Sequence, residues 1–298
     1  MQQPVRPLED LRREIDEVDD AIHDLVMRRT AIVAAIAAAK AAHRGGRDGF
    51  LRPGREAALL RRLIARHRGP FPKPALVRLW REIISAPLSL QGRFAVAVYA
   101  PGKQPGYWDL ARDHYGSHTP FSAHSTPGQV IGALVDGGAT VGVLPDLQDG
   151  GGDPWWPLLV REDRRMPAIM ARLPLAGAGN ARGEHLRALV VGDAVPERTG
   201  RDHSYLVFDA NEEISRTRLG AQLGKAELKP IFFANWQEPE GSRRLYLVEL
   251  EDFVAEGDPR LAAFLKGEEG VIRRVFSLGS YALPFAAEEL APGLGEPR

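Results

Sequence analysis

Apolar side chains fall at Leu8, Leu11, Ile15, Val18, Ile22 and Leu25, and again at Ile32 and Ile36. Steps of three and four place them on one face of a helix. The same seam carries Arg29 and runs out beside Lys40. A cation set against an apolar face is costly unless an anion meets it. Glu56 precedes Leu59, Leu60 and Leu63 by three, four and seven, so it also faces inward. Gln91 follows Leu88 by three and Ile84 by seven, and faces inward provided a helix continues past Pro87. Any one of these could be a long side chain that reaches out to water. Four together, spread over three segments, favour a polar pocket for a small anion.

The elements that must hold these residues can be read from the same pattern. No Pro or Gly occurs between Leu8 and His43, which predicts one helix roughly 50 Å long at about 1.5 Å per residue. Gly45 and Gly46 end it. A second helix starts near Pro53, carries Leu59, Leu60, Leu63 and Ile64, and stops before Gly69-Pro70. A third begins near Lys73 and carries Leu76, Leu79, Trp80, Ile83 and Ile84. The composition changes at Gly92. RFAVAVYAP (93–101) reads as a strand, 107–115 and 127–136 as helices, and ATVGVLP (139–145) as a strand that ends in a Gly-rich loop. That alternation predicts an α/β unit. After Gly200, SYLVF (204–208), a helical stretch, PIFFANW (230–236), RRLYLVELE (243–251), a helix near 259–267 and VIRRVFSLGSY (271–281) follow in the order β-α-β-β-α-β, a ferredoxin-like pattern.

Composition narrows the classes. The chain has 298 residues, 44% hydrophobic and 26% charged, ordinary values for a globular protein of two or three domains. Lys+Arg and Asp+Glu are both 39, yet residues 1–90 hold 17 basic against 11 acidic residues. A basic segment suggests an anionic ligand. Without a Lys/Arg run or a basic stripe with interleaved aromatics, nucleic acid is not the expected partner. The absence of cysteine excludes disulfides, thiolate metal sites and cysteine nucleophiles. Glu9, Asp10, Arg12 and Arg13 interrupt any signal-peptide pattern, and AIVAAIAAA (31–39) is too short to span a bilayer. The expectation is a cytoplasmic protein with no membrane contact.

LEDLRREIDEVDDAIHDLVMRRTAIVAAIAAAK, a loop, RPGREAALLRRL and LVRLWREIISAPLSLQ together resemble the all-helical class of chorismate mutases, in order and with spacing intact over residues 8–91. The resemblance implies an intertwined homodimer in which the first helix spans both subunits and each site draws on both chains. It implies that Arg12 reaches the partner's site to bind a carboxylate. Arg29 is implied as the second carboxylate-binding arginine. Lys40 would contact a carboxylate and the ether oxygen, Glu56 the substrate hydroxyl, and Gln91 the ether oxygen. The implied reaction is the pericyclic conversion of chorismate to prephenate, which needs no nucleophile, general base, metal or cofactor. Catalysis then rests on holding the compact conformer and stabilising charge on the ether oxygen. Arginine forks suit carboxylates, and Lys40 and Gln91 are donors of the right type.

Two positions depart from the family pattern. Arg52 stands where an acidic residue commonly precedes the glutamate by four, and it joins the substrate-binding set in that place. Pro87 stands where a serine commonly precedes the glutamine by four, which removes a hydroxyl and an N–H. Both bear on turnover rate more than on reaction type.

Residues 93–199 resemble a shortened prephenate dehydratase lobe, and residues 200–298 an ACT-like regulatory domain with a C-terminal tail. FAVAVYAPG, VIGALVDGGATVGVLPDLQDGG, HLRALVVGDAVPERTGRDHSYLVF and RVFSLGSY carry this resemblance. The dehydratase chemistry reads as lost. The family's Thr-Arg-Phe triplet is Leu186-Arg187-Ala188, its Glu-Asn-Ser stretch is Asp146-Leu147-Gln148, and its Gly-Thr-Phe-Ser loop is not recognisable in 103–107. The ACT-like motifs associated with phenylalanine binding appear only as Thr217-Arg218-Leu219 and roughly 232–235.

The expected architecture is therefore multidomain: an all-α three-helix module at 1–92, an α/β lobe at 93–199 and an α+β domain from 200. The expected function is chorismate mutase. The alternatives are a bifunctional mutase/dehydratase, an isochorismate pyruvate-lyase, and a non-catalytic dimeric regulator of a shikimate-pathway enzyme. Among weaker signals, His114, His118 and His124 are read as surface histidines rather than a metal site. The tryptophans of DGGGDPWW (149–156) are read as packing on the lobe, and GAGNARG (177–183) is not read as a phosphate loop.

Overall fold

A computed structural model of the chain describes residues 6–42, 51–102, 106–147, 154–161, 166–177, 186–194, 196–211, 214–238, 243–268 and 270–291. The long first helix, α1, runs Leu8–Ala42. Glu9 and Asp10 in its first turn and Lys40 in its last match the sign of the helix dipole. The Gly45-Gly46 stop lies outside the described residues, as do 149–153 and 178–185.

Helix α2 (Pro53–Arg66) buries Ala57, Leu60 and Ile64, steps of three and four along one face. Pro53 fits its first turn because an N–H there would have no helical partner. Helix α3 (Lys73–Ser85) buries Val77, Arg81 and Ile84 and then tightens into a 3-10 turn, Ala86–Leu90. The α-helix expected to carry Gln91 therefore does not continue past Pro87, whose missing N–H and ring break the ladder. Gln91 instead closes the 3-10 turn, its N–H donating to the Leu88 carbonyl at 3.0 Å.

The rest of the chain follows as β1 (Val96–Tyr99), α4 (Gly106–Tyr115), β2 (Phe121–His124), α5 (Pro127–Val135), β3 (Val141–Pro145), β4 (Ala168–Leu173), β5 (Ala188–Gly192), β6 (Asp202–Ala210), α6 (Arg216–Lys225), β7 (Pro230–Gln237), β8 (Arg244–Glu251), α7 (Pro259–Gly267), β9 (Ile272–Ala282) and a final turn of helix, α8 (Ala287–Leu290). The nine strands among the described residues form one mixed sheet in the order β2-β1-β3-β5-β4-β9-β6-β8-β7. The stretches 93–199 and 200–298 thus share a sheet. They meet at a single parallel pairing, Ile169 with Gly279. Gly279 has φ +120, and a Cβ there would stand 2.1 Å from the Ile169 carbonyl oxygen, so only glycine lets the two halves approach.

Alternation along the strands sets two cores on the first half. Val96, Val98, Val141, Val143 and Val190 face α4 through Leu110, Ala111 and Tyr115. Ala97, Leu144, Leu189 and Val191 face α5 and the buried Trp155 and Trp156. On the second half, Leu206, Phe208, Val248 and Leu250 pack under α6 and α7.

The helical segment is joined to this body by α2 and α3. Arg78 pairs with Asp113 of α4 at 2.6 Å, Arg61 donates to Thr199 and to the Leu283 carbonyl, and Lys73 reaches the carbonyls of Glu289 and Ala291. Helix α1 behaves differently. Leu8, Ile15, Ile22, Leu25 and Ile32 are all more than half exposed. Its apolar seam lies open to water along most of its length, which sequence periodicity alone would have read as a core face.

Candidate active site in the helical segment

Arg29 lies late in α1, and its half-buried guanidinium donates to the Ile83 carbonyl of α3 at 2.9 Å. Burial lowers its pKa, and the nearby Glu56 carboxylate opposes that shift. The cation inferred from the seam is thus met by a backbone acceptor and lies within the electrostatic reach of a carboxylate. Glu56 sits in the first turn of α2, where a negative charge is favoured by the helix dipole. It also accepts a 2.5 Å hydrogen bond from Nη1 of Arg81.

Arg81 was not among the residues singled out from sequence. It is 2% exposed. Its Nε donates to the His114 carbonyl at 2.6 Å, and its Cζ lies 5.8 Å from the Tyr115 ring centroid. Among the described residues its Nη2 is buried without a hydrogen-bond partner. A signal was present: positions 77, 81 and 84 share one face of α3, and the two beside Arg81 are apolar.

The other candidates are placed as follows. Lys40, in the last turn of α1, is half-buried and makes no ion pair with a described residue. Gln91 is also half-buried, with no side-chain hydrogen bond to a described residue. Arg12 lies near the far end of α1, exposed, held by Glu9 at 2.7 Å. Arg52, at the N-cap of α2, is committed within the chain: its Nε donates to Glu197 at 2.9 Å and its Nη2 to the same oxygen. Glu197 also accepts from the backbone N–H of Arg55 at 3.1 Å, so it supplies the cap that Arg52 cannot. The structure therefore pairs Glu56 with Arg81, bonds Arg29 to the Ile83 carbonyl, and ties Arg52 to the linker before β6.

A second polar cluster spans the joint of the sheet. Arg172 of β4 binds Asp146 at 2.6 Å, and Arg187 lies 3.7 Å from the same carboxylate. Glu249 of β8, fully buried, accepts from Tyr205 at 2.9 Å, from Tyr281 and from His203, and Arg172 stands 3.7 Å away. This is a network in which acids and bases are mutually satisfied, the arrangement that makes buried charge tolerable. Of the three histidines read as surface residues, His114 is buried and held neutral by burial and by the Arg81 charge. His118 is exposed and His124 half-buried, and no three acidic or histidine side chains among the described residues form a metal cluster. No helix among the described residues is long and apolar enough to cross a membrane.

Comparison with known proteins bears on this segment. The bifunctional chorismate mutase/prephenate dehydratase of Stutzerimonas stutzeri is 30% identical over 142 residues, which cover 46% of this chain and 38% of that protein. The protein of the same description from Aquifex aeolicus is 34% identical over 128 residues, 42% of this chain and 33% of the relative. The chain thus spans little more than a third of the length of the curated relatives it matches. Among solved structures, the prephenate dehydratase from Streptococcus mutans superposes with a TM-score of 0.49 at 12% identity, covering 64% of this chain and 99% of that one, too loose a likeness to carry an argument. Residues 11–92, the helical segment that holds Arg29, Glu56 and Arg81, match the family model described as chorismate mutase type II.

Proposed function

We propose that this chain is a chorismate mutase, an isomerase that converts chorismate to prephenate in phenylalanine and tyrosine synthesis. The observation that carries the proposal is a set of half-buried and buried charges on three helices, Arg29 bonded to the Ile83 carbonyl and Glu56 bonded to Arg81, inside the segment that matches the mutase family model. The same segment holds two half-buried donors, Lys40 and Gln91, whose side chains make no hydrogen bond or ion pair with another described residue.

In this reading the substrate's two carboxylates are bound by Arg29 and by the partner subunit's Arg12, and Lys40 adds a charge to one of them. The substrate hydroxyl donates to Glu56. Lys40 and Gln91 donate to the ether oxygen, which gains negative charge as its bond to carbon breaks and the new carbon–carbon bond forms. The rearrangement is intramolecular, so electrons move within the substrate and no proton leaves the pocket. Positioning and donation to the ether oxygen supply the rate. Arg52 acts in this reading through the Glu197 pair that sets the start of α2, rather than on substrate.

A homodimer follows from α1. Its exposed seam of Leu and Ile is the kind of contiguous apolar surface that marks a protein interface. A second copy laid along it would bring Arg12 to the opposite site. We further propose that residues 93–199 are a prephenate dehydratase-like lobe, that residues from 200 are ACT-like, and that neither retains dehydratase turnover. Leu186 supplies no hydroxyl where the resemblance calls for threonine, and Asp146 is engaged by Arg172.

The test is product identification. Purified protein given chorismate is expected to yield prephenate, and given prephenate to yield nothing. Absence of any chorismate conversion overturns the mutase reading. Phenylpyruvate from prephenate overturns the loss of dehydratase activity, and salicylate with pyruvate from isochorismate moves the assignment to the lyase.

A further inference from the structure

We propose that Arg81 is a positioning residue for the mutase reaction, aiming the Glu56 carboxylate at the substrate hydroxyl, and that the α/β body takes part in the site by holding Arg81. The proposal rests on the mutase reading above.

The geometry is a relay of three fixed points. The Glu56 carboxylate accepts from Arg81 Nη1 at 2.5 Å. Arg81 Nε donates to the His114 carbonyl at 2.6 Å. His114 belongs to α4, which is packed on the sheet through Leu110, Ala111 and Tyr115. A carboxylate at the start of a helix could otherwise rotate about its side-chain torsions, and an arginine in solvent would hold it weakly. Arg81 is neither exposed nor mobile in its anchors: it is 2% exposed, lies on the Tyr115 ring, and is gripped at Nε and Nη1. A charge-assisted bond in such surroundings is short and directional. The neutral imidazole of His114 leaves no second cation to compete for Glu56 from that side.

Two features separate this from an ordinary structural ion pair. Burying a guanidinium is costly unless its donors are satisfied, and Arg81 keeps Nη2 unpaired among the described residues. A pair selected for stability alone would satisfy that nitrogen or be replaced by apolar packing. The other is that Glu56 also acts electrostatically on Arg29, so Arg81 fixes an anion that is felt by a second cation, from α1. Losing the Arg81 anchor would let the carboxylate turn toward Arg29 and away from substrate.

The test is a double-mutant cycle on the full chain, measured as kcat and KM for chorismate, with thermal melts of each variant. Arg81→Met is expected to lower kcat/KM by about 10²-fold, the scale of an ångström-sized misplacement. In a Glu56→Gln background the same change is expected to cost less than about 3-fold, because a residue that acts through Glu56 has nothing left to position. Arg81→Lys keeps a charge that can reach Glu56 and is expected to recover about 10-fold of the loss relative to Met. Should Arg81→Met fail to fold, the cycle is run with Arg81→Lys, whose smaller loss is likewise expected to vanish in the Glu56→Gln background. Equal losses in both backgrounds, or equal losses for Met and Lys, overturn the positioning role while leaving the mutase reading intact. A wild-type chain without chorismate turnover overturns that reading and this one with it.

Discussion

The guanidinium of Arg29 donates to the carbonyl of Ile83, the acceptor whose partner four residues on would be the N–H of residue 87. That residue is Pro87, which has none. Arg29 therefore satisfies a backbone group orphaned by a substitution in another helix. In the proposed mutase site, this leaves the cation assigned to a substrate carboxylate with a second engagement in the free protein. Pro87→Ser restores the N–H, releases Arg29 and is expected to raise kcat/KM by up to about 10-fold, the equivalent of one hydrogen bond of about 1.4 kcal/mol. Steady-state kinetics of this variant decide it; an unchanged or lower kcat/KM removes the account of Arg29.

Arg29→Ala, Lys40→Ala and Gln91→Ala are each expected to lower mutase activity by about 10²- to 10³-fold, the usual scale for removing a donor to developing charge. Size-exclusion with light scattering is expected to show the dimer intact in all three. Full activity in all three would end the assignment of these residues.

The open seam of α1 predicts a different variant class. Ile22→Asp places a charge on a face that is 54% exposed at that residue in the single chain and covered in the proposed dimer. Burying one such side chain contributes about 1.5–3 kcal/mol, and a symmetric dimer loses it twice. Analytical ultracentrifugation is expected to show a monomer at concentrations where the wild type is dimeric, with activity lost in parallel. A monomeric wild type with full activity contradicts the intertwined arrangement.

Glu249 governs stability across the sheet joint. Burial pushes its carboxyl pKa up, while hydrogen bonds from His203, Tyr281 and Tyr205 and the Arg172 charge more than reverse that, leaving it below the usual 4.5. A depressed folded-state pKa contributes stability that is present above the unfolded value and lost as pH falls through the folded one. Glu249→Gln is expected to cost about 3–5 kcal/mol near neutral pH, as for other broken buried pairs. The deficit is expected to shrink below about pH 4.5, since the wild type then surrenders the same interactions. Urea titrations across that range measure it; a deficit independent of pH assigns the loss to packing.

Much of the fold was legible in the chain itself. The start of α1 and the ends of α2 and α7 fall within a residue or two of those predicted, because Pro, Gly and apolar periodicity act locally. The β-α-β-β-α-β order after Gly200 was readable for the same reason. Strands β2, β4 and β5 were not singled out: they are short, and their pairing partners lie far away in sequence. Arg29 and Glu56 could be found because a charge on an apolar seam is anomalous within a single helix. Arg81 carried the same anomaly on α3, but nothing local distinguishes a buried arginine from one that reaches solvent.

Residue type and spacing alone determined that a basic, three-helix segment turns charges inward and so suits a small anion. Only the tertiary structure decided which of those charges meet. Arg52 sits at the N-cap of a helix that could have aimed it at substrate, yet Glu197, 145 residues later, claims it. Arg81 reaches Glu56 only because α4 offers it the His114 carbonyl. Helical periodicity gives a side chain's direction about its own axis, whereas a partner is set by the packing of distant segments, and a buried ion pair needs both.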